Sequence, residues 1–252
     1  MTRGILIIGN ESSLFSAAAA EALKRVESFA SVSVPNRFPF PQGRSAPASE
    51  VEASTGPIPL SWNPSNPISS RTLLVSAENK LKQINNAIVI CSPPALYKTA
   101  ESLTPEDIEI LANDHIKGWF FLIRELILYF RRRGEGSLSF ISPEILGGAE
   151  SLGAAGIDAA APLQRFRHAF SGGGRSRNTP MDIAGPPASA AFRAFASSAL
   201  AGAGENFQVM GFTSADADSE AEFAEWFFKI IDEGAVKSSG RWHKYSRLKF
   251  FR

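Results

Sequence analysis

The stretch SLTPEDIEILANDHIKGWFFLIRELILYFRRRGEGSLSFIS, Ser102 to Ser142, decides how the rest of the chain is read. Thr104 precedes Pro105, Glu106 and Asp107. A capping hydroxyl, a proline at the first helical position and two acids near the positive end of the dipole are the marks of a helix start. From there Ile108, Leu111, His115, Trp119, Leu122, Leu126 and Tyr129 recur at spacings of three and four. That spacing predicts one or two helices with a single apolar stripe, ending at the basic run Arg131 to Arg133. Ser137 to Ser142 (SLSFIS) then reads as a short buried strand.

Outward from this unit the same alternation repeats. GILIIG, Gly4 to Gly9, is an apolar run of the kind found in strands buried on both faces of a parallel sheet. A helix over 16–26 and a strand over 31–34 complete a βαβ unit. Further along, the pattern predicts a helix over 72–82, a strand over 87–91, a small-residue helix over 189–203, a strand over 207–212, a helix over 219–233 and a last strand over 241–245. Two segments break the rhythm. Residues 35–70 hold eight prolines, a composition read as unable to hold a helix, with a short strand around Ile58 to Trp62. Residues 146–187 are rich in Gly and Ala and read as irregular, with a helix over 162–170. The expectation is one α/β domain over 1–252, a Rossmann-like doubly wound parallel sheet with the final strand at an edge.

Composition narrows the function classes. At 252 residues, with 44% hydrophobic and 20% charged side chains, the chain can bury a large core. Twenty-six basic against 25 acidic residues give a net charge of +1, too little to draw nucleic acid or an anionic membrane. No apolar run reaches the roughly 18 to 20 residues that span a bilayer. The N-terminus passes at once into a strand, which does not read as a signal peptide, and the single Cys91 lies in an apolar run. These features suit a cytoplasmic protein. The three histidines lie on separate elements without carboxylate or thiol neighbours at ligand spacing, so no metal site is expected.

The order of these segments resembles the short-chain dehydrogenase/reductase family. Ser102 to Ser142 resembles that family's long central helix and fifth strand, RGILIIG its first strand, NAIVICSPP its fourth, ENFQVMGFTS its sixth and SSGRWHKY its closing strand. The resemblance implies a nicotinamide dinucleotide site at the turn after the first strand. There the family places Thr-Gly-x-x-x-Gly-x-Gly, because bare backbone must approach a pyrophosphate at a helix N-terminus. In this chain the turn runs Ile8, Gly9, Asn10, Glu11, Ser12, Ser13, Leu14, Phe15. Gly9 is retained, Ser13 could offer its amide, and Phe15 sets a ring where the third glycine belongs. Arg37 follows the second strand, where a basic residue would meet the 2′-phosphate of NADP. Ser92 lies in the fourth-strand stretch Ile90-Cys91-Ser92-Pro93, where the family has Asn-Asn-Ala-Gly. The cofactor-binding candidates are therefore Gly9, Ser13, Arg37 and Ser92.

The same resemblance assigns chemistry to Asn, Ser, Tyr and Lys, with tyrosine as acid/base and lysine lowering its pKa. The asparagine position falls on His115 and the serine position on Ser142 or, with a one-residue shift, on Pro143. The Tyr-x-x-x-Lys pair is missing: no tyrosine or lysine occurs between Ser142 and Phe207. The expectation is a catalytically inactive relative, taking no cofactor and acting as a self-associating or partner-binding module. Its dimer or tetramer would form through helices 104–133 and 189–203, and a different protein partner is also open. One alternative is a divergent oxidoreductase that binds NADP and uses another proton donor such as His115. A second is a small-molecule binding protein using the same cleft.

Overall fold

The computed structural model describes residues 3–25, 29–34, 58–92, 100–142, 185–202, 207–214, 220–234 and 239–246. Seven strands form one sheet: β1 (Ile5–Asn10), β2 (Phe29–Val34), β3 (Ile58–Pro59), β4 (Asn86–Ile90), β5 (Ser137–Ile141), β6 (Gln208–Ser214) and β7 (Arg241–Tyr245). They lie in the order β3-β2-β1-β4-β5-β6-β7, and every neighbouring pair is parallel. This is the doubly wound sheet that the alternating pattern predicts, with β7 at an edge.

Helices cover both faces because each strand alternates its side chains between them. On one face Leu6, Ile8, Val89, Phe140 and Val209 meet α2 (Pro67–Leu81), α4 (Gly118–Arg133) and α5 (Gly185–Ala201) through Leu73, Trp119, Leu122 and Phe192. On the other, Ile5, Ile7, Ile88, Ile90, Met210 and Phe212 meet α1 (Ser13–Leu23) and α6 (Glu220–Glu233) through Leu14, Ala18, Phe223 and Phe227. With Phe140, Phe192, Phe212 and Phe227 fully buried, each of these rings contributes roughly 1.5–3 kcal/mol from burial alone.

The helix predicted over 104–133 comes in three parts, α3 (Pro105–Ala112), a π-helical turn (Asn113–Lys117) and α4, and Ile108, the first residue of the expected stripe, is exposed. Thr104 caps it as expected, accepting the Asp107 N–H at 3.2 Å while Asp107 accepts the Thr104 N–H at 2.9 Å. Gly134 ends α4 in the left-handed conformation.

One segment corrects the reading of the proline-rich region. α2 begins at Pro67, five residues before the predicted start and inside the stretch judged unable to hold a helix. Pro67 occupies the first turn, where its missing N–H costs nothing, and Asn66 caps the helix by accepting the Ile68 N–H at 3.0 Å. β3 is short, as expected, and ends at Pro59. The helix predicted over 162–170 lies outside the described residues.

Candidate functional site

In a parallel sheet all strands end on the same edge, and a crevice opens where the chain's crossovers turn in opposite directions. Here that point lies between β1 and β4, since the chain leaves β1 for β2 and β3 and returns to β4 on the other side. Asn10, the last residue of β1, is buried and bridges the gap, its Oδ1 accepting the Ser92 N–H at 3.2 Å. Ser12 caps α1 by accepting the Phe15 N–H at 3.1 Å. The other N–H groups of the first turn, those of Ser13 and Leu14, belong to the set that has no partner within its own helix. The helix dipole adds a partial positive charge there.

Phe15 stands at the third-glycine position, on the first turn of α1. A Cβ built on Gly9 would lie 2.7 Å from Cδ2 of Phe15, so the ring lies directly against Gly9. It packs with the α1 and α6 layer beneath the sheet. The third glycine of a dinucleotide turn serves close packing of helix on strand, and the ring fills that packing space.

A second constellation lies on the opposite face. One residue beyond the paired positions Gly9–Ile90, Ile90–Ile141 and Ile141–Phe212 stand Asn10, Cys91, Ser142 and Thr213, each from a different strand and all buried. The backbone ties the row together, Cys91 N–H donating to the Ile141 carbonyl at 2.9 Å and Ser142 N–H to the Phe212 carbonyl at 3.1 Å. Strand alternation turns the row toward α2, α4 and α5. The helices on this face bring their own buried polar groups: His115 and Asp114 in the π-helical turn, and Ser189 in the first part of α5. Ser65 Oγ donates to Asp114 Oδ1 at 2.6 Å, docking the segment before α2 onto the turn. Among the described residues, the hydroxyls of Ser189 and Thr213 are buried without a hydrogen-bond partner.

Burial governs the titration of two of these groups. His115 is 2% exposed, and desolvation lowers its pKa to about 4, with the neighbouring Asp114 carboxylate acting in the opposite direction. It is neutral at pH 7. Burial drives the Cys91 thiol well above its ordinary range, so it is a small core residue and no nucleophile.

Of the candidates from the sequence, Gly9, Ser13 and Ser92 gather at the β1–β4 crevice, while His115 and Ser142 share the face covered by α2, α4 and α5. Arg37 lies outside the described residues. Asn10, Thr213 and Ser189 were missed. The signal for Asn10 and Thr213 lay in strand parity: the first polar residue after each apolar run falls on one face of one edge. Among the described residues no helix is long and apolar enough to cross a membrane, and no group of three His, Cys, Asp or Glu could hold a metal ion.

No protein-family model and no curated protein matches the chain. Solved structures match it over nearly their whole length. A short-chain dehydrogenase from Bacillus anthracis is 13% identical, with a TM-score of 0.64 over 99% of this chain and 97% of that one. A 3-ketoacyl-(acyl-carrier-protein) reductase from Brucella melitensis, complexed with NADH, is 15% identical, with a TM-score of 0.62 over 96% of each chain. A metagenomic short-chain oxidoreductase in complex with NADP is 10% identical, with a TM-score of 0.64 over 97% of each. The chain has the Rossmann-like fold of short-chain dehydrogenases/reductases, as the sequence resemblance implied.

These structures overturn the expectation that no cofactor is taken, since two of them hold NADH or NADP in this same fold. The expectation rested on the missing turn glycines and the missing Asn-Asn-Ala-Gly and Tyr-x-x-x-Lys residues. The Phe15 ring packs against Gly9 on the α1 and α6 face, and the Ser13 and Leu14 N–H groups at the start of α1 have no partner within their own helix.

Proposed function

We propose that this chain binds a nicotinamide dinucleotide at the β1–β4 crevice, does not carry out the tyrosine-dependent hydride transfer of short-chain dehydrogenases/reductases, and acts as a self-associating or partner-binding module. The observation that carries the reading is the combination of that fold with a run from Ser142 to Phe207 that contains no tyrosine or lysine. In the crevice, the Ser13 and Leu14 amides would hold the pyrophosphate, and Asn10 fixes the Ser92 segment on the β4 side. A reducing, cytoplasmic setting suits a chain whose one cysteine is buried.

A second reading, reduction with His115 as proton donor, has the placement of His115 and Ser142 on one face in its favour. Its weakness is quantitative. With a pKa of about 4, only about one His115 in a thousand carries the proton at pH 7.

The test is to titrate the protein with NADH by fluorescence and to follow NADH oxidation with a panel of aldehydes and ketones. Saturable binding without turnover is the expected result. Turnover abolished by His115→Gln would establish the second reading, and failure of any dinucleotide to bind would end both.

A further inference from the structure

Glu11 follows β1 directly and carries the only ionisable side chain among described residues 9–16, 29–34 and 58–66, the turn and the two strand ends on the β2 side of the crevice. Its side chain is exposed, and its Oε1 accepts the Ser33 hydroxyl at 3.3 Å. Its backbone N–H reaches the Val34 carbonyl at 3.5 Å. The turn is therefore laced to the C-terminal end of β2, with a carboxylate at that end. In doubly wound folds the adenosine ribose of a dinucleotide lies there, an acidic group receiving its hydroxyls and a basic group receiving a 2′-phosphate.

We infer that Glu11 makes this site select NAD(H) and reject NADP(H). The inference rests on the dinucleotide reading above and adds the class of dinucleotide to it. A ribose diol can donate a hydrogen bond to the carboxylate. A 2′-phosphate carries about −1.5 to −2 charges at pH 7 and presents only acceptors to a group that donates nothing. No lysine or arginine among those residues offsets the repulsion. The acidic group comes from the β1–α1 turn, and the Ser33 hydroxyl on β2 donates to it.

The experiment titrates wild type, Glu11→Gln and Ser33→Ala with NADH and with NADPH, following tryptophan quenching at low salt and at about 0.5 M salt, where the Debye length falls to a few ångströms. Wild type should bind NADH about tenfold or more tighter than NADPH, a gap within reach of one like-charge contact near a surface. Glu11→Gln should narrow the gap to about threefold or less, mainly by tightening NADPH, and high salt should narrow it in wild type in the same sense. Ser33→Ala keeps the charge and should keep most of the gap. NADPH bound as tightly as NADH by wild type, or a gap unchanged in Glu11→Gln, would overturn the selectivity while leaving dinucleotide binding intact. Binding of neither would overturn both. The salt series on wild type tests the repulsion of the 2′-phosphate itself, and Glu11→Gln assigns it to this carboxylate.

Discussion

A methyl group on Gly9 would meet Cδ2 of Phe15 at 2.7 Å and the Cβ and carbonyl oxygen of Ile90 at 3.1 Å. None of these is the loose end of a long chain. Gly9→Ala should therefore cost about 1–3 kcal/mol, the usual range for overpacking. Phe15→Ala opens the space, so the double variant should lose less than the two single losses added, as coupled neighbours do; additive urea midpoints would refute the contact. His115 gives a prediction in pH. Its folded-state pKa, about 4, lies below the ordinary 6.5, so the unfolded chain takes up the proton first as pH falls. The stability tied to the neutral form is complete above about pH 6.5 and is lost down to about pH 4. Across that window wild type should lose about 3 kcal/mol more than His115→Gln in urea unfolding, and parallel profiles would contradict this. At this scale the sequence was half legible. A cap at Ser12 or Ser13 follows from residue type, whereas the choice of Ser12 and the direction of the Phe15 ring depend on how α1 docks, which no local pattern contains.

The π-helical turn is the element that periodicity could not show, because Leu111, His115 and Trp119 keep one stripe whether the backbone there is α or π. What fixes it is tertiary. A Cβ on Gly118 would run into Cβ of Pro64 and lie 3.0 Å from that residue's Cα and carbonyl oxygen, and Ser65 hydrogen-bonds to Asp114 beside it. Trp62 packs on Trp119 at 5.2 Å between ring centroids and donates to Ser70 Oγ at 3.1 Å. Gly118→Ala should push this segment off the turn. Its cost should exceed about 1 kcal/mol although alanine is the better helix former by nearly that amount; a neutral or raised melting temperature would sink the idea. Thr104→Ala, which removes one half of the capping box, should cost about 1 kcal/mol. The late start predicted for α2 has a different origin. Proline density was weighed without position, and at Pro67 position is what matters.

Across the whole molecule, the order of strands and helices was legible because each strand is an apolar run too short for a helix, and parallel connections leave few arrangements. The stretch Trp119 to Phe130 carries more aromatic side chains than one helix face against a sheet requires. Trp119, Tyr129 and Phe130 are consumed by the core, but Phe120 remains 48% exposed, its ring 5.1 Å from Phe195 of α5. If this face joins two copies, light scattering should give a dimer at micromolar concentration and Phe120→Glu a monomer, since obligate interfaces bury upwards of about 2,000 Å². A dimer untouched by that substitution would locate the contact elsewhere. The ends of the sheet carry a separate consequence. One outermost strand, β3, is two residues long and ends in Pro59, which has no N–H to offer. The other, β7, exposes Arg241 and Lys244. Short length, proline and outward charge are the features that deny an incoming strand a template. Solutions of the folded protein should consequently stay clear on long incubation. Replacing Pro59 by valine and Lys244 by threonine should leave the thermal midpoint nearly unchanged yet bring turbidity forward.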